Sequence, residues 1–374
     1  MKFSKCKKFG FLGLSIFLLS PLYLTADESN FKVDSVHSFP VVEKKANYSK
    51  YEGTFAQKPN GISHQMFPGQ KIFINFAFEN GGFLVRDGKP LGIKYPIQFN
   101  HLLFSPDHKV VLAYGVPRFV SDSKKFCFID DQGNVINTGD LILNMAKVSD
   151  RGFVGVCQEV SQDEKPGAKN GSHHPHVSGL YLCGWDFSGQ EVWRTALPLG
   201  EFAEILPSKL SISPNGDLII LGLTGSTRVF NGNGKELERF KETYSSFIAD
   251  DNETTVLVSR QHIRVLNLKN KTILFHKDLD ENSKSMFRMT ENPGAFFGPD
   301  ENQRADKVVI TEGVHHLDKI IVFDSKNKKI THLDPGPADR GAFSVYYSAS
   351  EGKIIFVDRN HIGKNIYESI DSKN

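Results

Sequence analysis

Short apolar runs recur along the chain between about residues 70 and 360, and a polar turn follows each run. The runs at residues 126–129 and 228–230, for example, lead into the turns at residues 130–133 and 231–234. β-Branched and aromatic residues before a turn that ends in glycine are the main short-range signal of a β-hairpin. Helical periodicity is scarce beyond the first 26 residues. The pattern therefore predicts an all-β chain.

The turns recur with a spacing of tens of residues, which indicates a repeat. Their last residues are Gly88, Gly133, Gly189, Gly234, Asn270 and Asn327, separated by steps of 45, 56, 45, 36 and 57 residues. Several units hold a second polar turn, such as residues 213–217 between two apolar runs. Four strands in about 40 to 50 residues form the blade of a β-propeller. A further unit at residues 353–358 gives a single propeller of seven blades, with six and eight as alternatives.

Two of these units resemble known propeller repeats. The Ser-Pro-Asn-Gly-Asp turn at residues 213–217 resembles the first hairpin of WD40-like and YVTN-like repeats. Residues 185–193 resemble the strand–turn–strand of quinoprotein-like (PQQ-type) repeats, which also occur in outer-membrane assembly scaffolds. The resemblance spans residues 70–360 and implies the propeller fold without a function. The chain departs from both families, with one Trp-Asp dipeptide, no recurrent Gly-His and two tryptophans, although the quinoprotein repeat docks its blades with tryptophan.

The amino terminus has the pattern of an export signal. Residues 1–8 hold four lysines and no acid, and residues 9–26 are almost wholly apolar. This pattern predicts a signal peptide that is cleaved after Ala26, with an uncleaved anchor as the alternative. Cys6 precedes the apolar stretch, so it cannot anchor a lipoprotein at the cleavage site.

After cleavage, we expect a leader at residues 27–60 and the propeller at residues 61–374. Within the leader, residues 31–51 either supply a strand that closes the ring or form a disordered segment. A closing strand would remove two exposed sheet edges.

The charge balance limits the classes of partner. The chain has 45 basic and 43 acidic residues, and loss of the four lysines of the signal peptide leaves 41 basic residues. Such a near-neutral chain lacks the basic field that nucleic-acid binding requires. We therefore expect a monomer in the periplasm or outside the cell, with no stable membrane span after cleavage and a protein or small-molecule partner.

A histidine cluster is the most conspicuous candidate for chemistry. His173, His174 and His176 lie in a polar insertion at residues 161–178. Neutral imidazole binds zinc or copper, so the cluster suggests a divalent metal as the one candidate cofactor. A fourth ligand would have to come from elsewhere, and the alternative is a solvated loop, because no spaced zinc signature is present. The pair His315-His316 is a second candidate.

Two cysteines flank the same insertion. If the strands on either side of it form a hairpin, Cys157 lies roughly opposite residues 181–183, which allows a disulfide with Cys183. Two buried free thiols are the alternative, and Cys127 is a competing partner.

No motif of nucleophilic catalysis or phosphate binding is present. Residues 250–253 are polar, and we interpret them as a turn. The turn-rich segment at residues 286–306 is either a recognition surface, together with the insertion at 161–178, or a packed connector.

These observations favour an exported, non-catalytic propeller that acts as a binding or scaffold module. The alternative is a lactonase-like, metal-dependent hydrolase, which requires carboxylates and amides that converge at the central channel. A quinoprotein dehydrogenase is less favoured, because no pattern of cofactor-stacking tryptophans is present.

Overall fold

The computed structural model describes the chain in segments. These are residues 31–33, 39–46, 101–115, 126–160, 177–200, 209–280, 282–290, 306–314 and 317–336, together with the strands named below. No α-helix occurs in these segments, and the prediction of an all-β chain is confirmed. None of the described residues belongs to a helix long and apolar enough to cross a membrane.

The described strands form seven sheets, preceded by three short strands near the amino terminus. The three are β1 (Lys32–Val33), β2 (Val41–Lys45) and β3 (Tyr48–Lys50). Sheet 1 holds β4 (His64–Met66), β5 (Ile72–Ala77), β6 (Gly81–Arg86) and β7 (Lys89–Pro90). Sheet 2 holds β8 (His101–Phe104), β9 (Val110–Tyr114), β10 (Phe126–Asp130) and β11 (Val135–Gly139). Sheet 3 holds β12 (Ile142–Ser149), β13 (Gly152–Ser161), β14 (His176–Trp185) and β15 (Glu191–Leu197).

The remaining four sheets follow the same order along the chain. Sheet 4 holds β16 (Leu210–Ile212), β17 (Leu218–Leu223), β18 (Ser226–Asn231) and β19 (Glu236–Phe240). Sheet 5 holds β20 (Ser245–Ile248), β21 (Thr254–Val258), β22 (His262–Asn267) and β23 (Thr272–Asp278). Sheet 6 holds β24 (Phe287–Met289), β25 (Lys307–Glu312), β26 (Lys319–Asp324) and β27 (Lys329–Asp334). Sheet 7 holds β28 (Phe343–Ser348), β29 (Lys353–Asp358) and β30 (Ile366–Ile370).

Each sheet is an antiparallel meander, and the sheets stack side by side. The first strands of sheets 2 to 5 contact one another in sequence, which places the first strand of each sheet at the centre and the last at the outside. Hydrophobic clusters lie between consecutive sheets; Phe128 and Trp185, for instance, share the cluster between sheets 2 and 3. Because the faces of an inner sheet are buried against its neighbours, the second and third strands of sheets 2 to 6 are mainly apolar.

A repeated turn joins the third and fourth strands of sheets 2 to 6. Its first residue is Asp or Asn, whose side-chain oxygen accepts hydrogen bonds from backbone N–H groups two to four residues later, as Asp130 does at 2.9 and 2.7 Å. A residue with positive φ closes each turn, and these residues are Gly133, Gly189, Gly234, Lys271 and Lys328. The turns predicted from the sequence at residues 130–133, 186–189, 231–234, 267–270 and 324–327 are confirmed.

The residue four positions after the positive-φ residue docks one sheet on the next. Asn137 Nδ2 donates to the carbonyl of Gly189 at 2.8 Å. The ring of Trp193 packs on Gly234, where an added Cβ would lie 2.4 Å from the ring. Glu238 forms an ion pair with Lys271. One of the two tryptophans thus performs the docking that quinoprotein repeats assign to tryptophan, while polar side chains perform it at the two neighbouring interfaces.

The amino-terminal strands add to the outer edges of three successive sheets. β1 pairs in parallel with β23, β2 pairs in parallel with β27, and β3 pairs antiparallel with β30. Phe31 and Phe39, 7% and 2% exposed, insert between sheets 4 and 5 and between sheets 5 and 6 respectively. We call residues 31–50 the belt. Its two phenylalanines supply buried apolar area that adds to the brief strand pairing of β1 and β2.

Acidification is expected to loosen the belt at β2. Glu43 Oε1 lies 2.6 Å from His332 Nδ1, with Lys319 Nζ 3.8 Å from the second carboxylate oxygen. The hydrogen bond with His332 lowers the pKa of Glu43 below 4.5, so this contribution to stability is complete above pH 4.5 and is lost as the pH falls through the lowered value. Burial lowers the pKa of His332 below 6.5, so the unfolded chain binds this proton first and the fold loses stability as the pH falls below 6.5.

Both effects have the same sign, and the pH dependence can be measured directly. We expect the urea midpoint of unfolding to fall between pH 7 and pH 5, and to fall less in a His332→Gln variant. An equal pH dependence in the two proteins would show that this pair does not couple the belt to pH.

Candidate binding surface

The first strands of the sheets determine which side chains are available at the centre of the molecule. None of the seven, which are β4, β8, β12, β16, β20, β24 and β28, contains an Asp or a Glu. Their lysine, arginine and histidine residues with described side chains are His101, Lys147 and Arg288. Burial lowers the pKa of His101, whose ring stacks on Tyr114, so this imidazole favours the neutral form. These strands thus lack the carboxylates that a lactonase-like metal site would need.

The predicted metal ligands lie mostly outside the described residues. His173 and His174 fall there, as do His315 and His316 and the core of the 286–306 segment. His176 begins β14, where its backbone pairs with Ser161. Among the side chains that the structure describes, no group of three or more His, Cys, Asp and Glu residues is arranged to hold an ion. The histidine cluster therefore stays a sequence-based hypothesis.

The three cysteines of the described region are buried and free. The hairpin of β13 and β14 exists as expected, but Tyr181 lies opposite Cys157 and Gly155 lies opposite Cys183. The two cysteines are diagonal neighbours, whose Cα atoms are typically about 7 to 8 Å apart, beyond the usual reach of a disulfide. Burial, followed by the hydrogen bond with Cys183, raises the pKa of Cys157, which keeps this thiol protonated.

Thiol accessibility tests this arrangement. We expect a thiol-reactive aromatic disulfide to react with none of Cys127, Cys157 and Cys183 in the native mature protein, because buried protonated thiols are poor nucleophiles. After denaturation without reductant, all three should react. A single reactive thiol after denaturation would show that two of the three form a disulfide.

A polar cluster on the outer part of sheet 5 is the main group of titratable side chains in the described region. His262 Nδ1 lies 2.8 Å from Asp278, its Nε2 lies 3.9 Å from Glu242, and the Tyr244 hydroxyl donates to Glu242 at 2.7 Å. Burial acts to raise the pKa of Asp278, but hydrogen bonds from Arg264 and His262 outweigh it and lower the pKa. Because each charged group has a partner within the cluster, the cluster joins β22 and β23 to the connection before β20.

Large apolar side chains on the outer strands are a more distinctive feature. Ile136, Val192 and Leu237 are 42%, 58% and 47% exposed, on β11, β15 and β19. Each is the extra residue of a β-bulge against the third strand of its sheet. Each follows the positive-φ turn residue by three positions. That spacing was visible in the sequence, where it could have revealed this repeated exposed position.

A cleft of about 260 Å³ opens beside one of these residues, between sheets 3 and 4. Its lining includes Trp185, Val192, Trp193, Gly216, Gly232 and Asn233. Trp193 packs across Gly184 on its own sheet and Gly234 on the next, so glycines at these positions leave room for the indole ring. The cleft combines the two tryptophans with an exposed valine, and Arg151, the charged residue in its lining, pairs with Asp217, so the aromatic part of the cleft suits an apolar side chain.

Comparison with known proteins supports the fold. No protein-family model and no curated protein matches the sequence. BamB from Moraxella catarrhalis aligns with a TM-score of 0.50 and 10% identity over 87% of this chain and 92% of that chain. Dihydro-heme d1 dehydrogenase NirN in complex with DHE aligns with a TM-score of 0.49 and 13% identity over 86% of this chain and 66% of that chain. The WD40 β-propeller domain of Doa1 aligns with a TM-score of 0.44 and 10% identity.

At such low identity a structural likeness shows the fold and no more. The strand order of the described sheets agrees with it, since each is a meander whose first strand lies near the centre. The resemblance inferred from residues 185–193 and 213–217 is confirmed at the level of fold, and the chain has the β-propeller fold.

Proposed function

We propose that the protein is an exported propeller that binds a polypeptide partner on its outer surface and has no catalytic role. The observation that carries this proposal is the repeated exposure of Ile136, Val192 and Leu237 on three successive outer strands. Apolar side chains of this size at matching positions form a recurring contact surface, unlike the scattered exposed residues of an ordinary surface. Seven blades, a monomer and a propeller that spans residues 61–374 are parts of the same proposal.

The absence of carboxylates from the first strands weighs against the hydrolase alternative in the part of the chain that the structure describes. The near-neutral charge and the amino-terminal pattern up to Ala26 favour a location in the periplasm or outside the cell. Terminal sequencing of the mature protein is expected to begin at Asp27.

Photocross-linking tests the binding role. A photoreactive amino acid at position 192 or 237, introduced in the producing organism, is expected to give an adduct of one defined mass. The same amino acid at Lys326, on the exposed turn between β26 and β27 of sheet 6, is the control and should give no such adduct. No adduct at positions 136, 192 and 237, together with hydrolysis of a lactone that EDTA abolishes, would overturn the proposal in favour of the hydrolase.

A further inference from the structure

Sheets 5 and 6 show how the outer edge of this propeller holds an added strand. In both, an extended segment pairs in parallel with the fourth strand, and a phenylalanine one or two residues ahead of the added strand is buried between that sheet and the preceding one. Phe31 precedes β1, and Phe39 precedes β2. The ring of Phe39 lies 5.1 Å from that of Phe323, and the backbone N–H of Ile330 donates to the carbonyl of Pro40 at 3.1 Å.

Sheet 4 offers the same two elements one position earlier along the ring. β19 pairs with β18, and no fifth strand lies beside it among the described residues. The cleft lies between sheets 3 and 4, which is where the aromatic anchor of a strand added to β19 would enter. The cleft reaches the turn between the third and fourth strands of sheet 4, at Gly232 and Asn233. In sheet 6, Phe39 likewise lies near the start of the fourth strand, β27.

The bulge residue of the preceding sheet differs between sheets 6 and 4. At sheet 6 that residue is Leu274 of β23, which packs against the cluster that contains Phe39. At sheet 4 the corresponding residue is Val192 of β15, which lines the cleft and is largely exposed. This position is covered at sheet 6 and exposed at sheet 4. At sheet 5 the corresponding residue, Leu237, is 47% exposed although Phe31 anchors β1 there, so the correspondence rests on the edge of β19 and the place of the cleft.

We propose that β19 and the cleft together form a docking site for an extended segment of a partner polypeptide. An aromatic side chain of the partner enters the cleft, and the residues after it form a short strand parallel to β19. The backbone of β19 provides affinity through strand pairing, and the cleft provides specificity and register, as in other cases of β-strand addition. This site is a specific form of the outer-surface binding proposed above and rests on it.

The parallel direction follows from the position of the anchor. Because the cleft opens at the turn before β19, a chain that leaves it along the edge runs in the same direction as β19. The exposed Leu237, on the bulge of β19, then contacts the side chains of the added strand. A segment that lacks the aromatic residue retains only a few backbone hydrogen bonds, whose net contribution in water is small.

A peptide that copies the first part of the belt is a suitable probe. The peptide Phe-Lys-Val-Asp-Ser-Val-His-Ser reproduces residues 31–38, which hold the Phe31 anchor and β1. Binding to the mature protein can be followed through tryptophan fluorescence, because both tryptophans line the cleft. We expect saturable binding, weakened at least tenfold when alanine replaces the phenylalanine of the peptide.

Proline substitutions provide a matched pair of variants. Leu237→Pro on β19 should weaken peptide binding at least tenfold, because a proline on an edge strand opposes the addition of another strand. Ile136→Pro, at the equivalent bulge of β11, should leave binding within twofold of the unaltered protein. Val192→Asp, at the rim of the cleft, should weaken it at least tenfold. Equal weakening by the two proline variants, or no dependence on the phenylalanine, would overturn the proposal.

Hydrogen exchange of the unaltered protein gives a readout that needs no variant. Adding the peptide should slow exchange in β19 and leave β11 unchanged. Protection of other strands, or no protection at saturating peptide, would refute this site. Photocross-linked adducts from position 136 would in that case still support a binding role elsewhere on the outer surface. Self-association in sedimentation experiments, lost on Leu237→Pro, would instead identify a second copy as the occupant and overturn the assignment to a different polypeptide.

Discussion

Replacing Gly234 with alanine is expected to destabilise the protein by about 2 to 5 kcal/mol. Gly234 has a φ of 75°, a left-handed conformation that costs a residue with a Cβ roughly 1 to 2 kcal/mol. The added Cβ would also lie 2.4 Å from the ring of Trp193 and 2.6 Å from Thr195 Oγ1, and such overpacking costs about 1 to 3 kcal/mol more. The free energy of unfolding can be measured by urea denaturation.

Gly225 provides the matched control. It has the same φ of 75°, but an added Cβ would meet no atom within 4 Å, so Gly225→Ala should cost only the backbone term of roughly 1 to 2 kcal/mol. Combining Gly234→Ala with Trp193→Ala should recover part of the loss, because the clash with the indole ring disappears. Equal costs at the two glycines would contradict the claim that Trp193 docks sheet 3 on sheet 4.

Replacing Phe39 with alanine is expected to destabilise the protein by about 3 to 5 kcal/mol, the usual cost of removing a buried phenylalanine ring. Phe39 belongs to the belt, and its ring is buried among residues of sheets 5 and 6. The substitution should also speed hydrogen exchange in β27, because β2 loses its anchor.

Val41→Ala, two residues further along the belt, should change the unfolding free energy by less than about 0.5 kcal/mol, because Val41 is exposed. A small effect at Phe39, similar to that at Val41, would mean that the belt is not anchored by its aromatic side chains.

Local sequence patterns predicted the turns and the meander well. A side chain such as Asp186 or Asn231 determines its own turn, since its oxygen accepts hydrogen bonds from the next few backbone N–H groups. The apolar runs before the turns supply buried side chains of the strands that lead into them. These features depend on neighbours within a few residues, which a single sequence displays.

Features that depend on distant partners could not be predicted in the same way. The pairing of β1 with β23 and of β2 with β27 joins residues more than 200 positions apart, and a two-residue strand carries no periodicity. The belt was therefore expected only to close the ring or to be disordered, and its parallel addition to sheets 5 and 6 was missed.

Register was a second obstacle. A hairpin that brings Cys157 roughly opposite residues 181–183 was expected. The register places Cys157 opposite Tyr181, at one end of that range, and leaves Cys183 on the diagonal, with a shift between Glu159 and Val160 on the loop side of this pair. A bulge within a strand has no clear sequence signature here, so the sequence could not separate a disulfide from two free thiols.

Hydrogen exchange across the outer strands of the mature protein distinguishes the edges of sheets 5 and 6, which hold an added strand, from those of sheets 2 to 4, beside which no added strand lies among the described residues. We predict slow exchange for the edge amides of β23 and β27, because β1 and β2 cover these strands. Exchange in β11, β15 and β19 should be faster. Uniform exchange across all five outer strands would contradict this prediction.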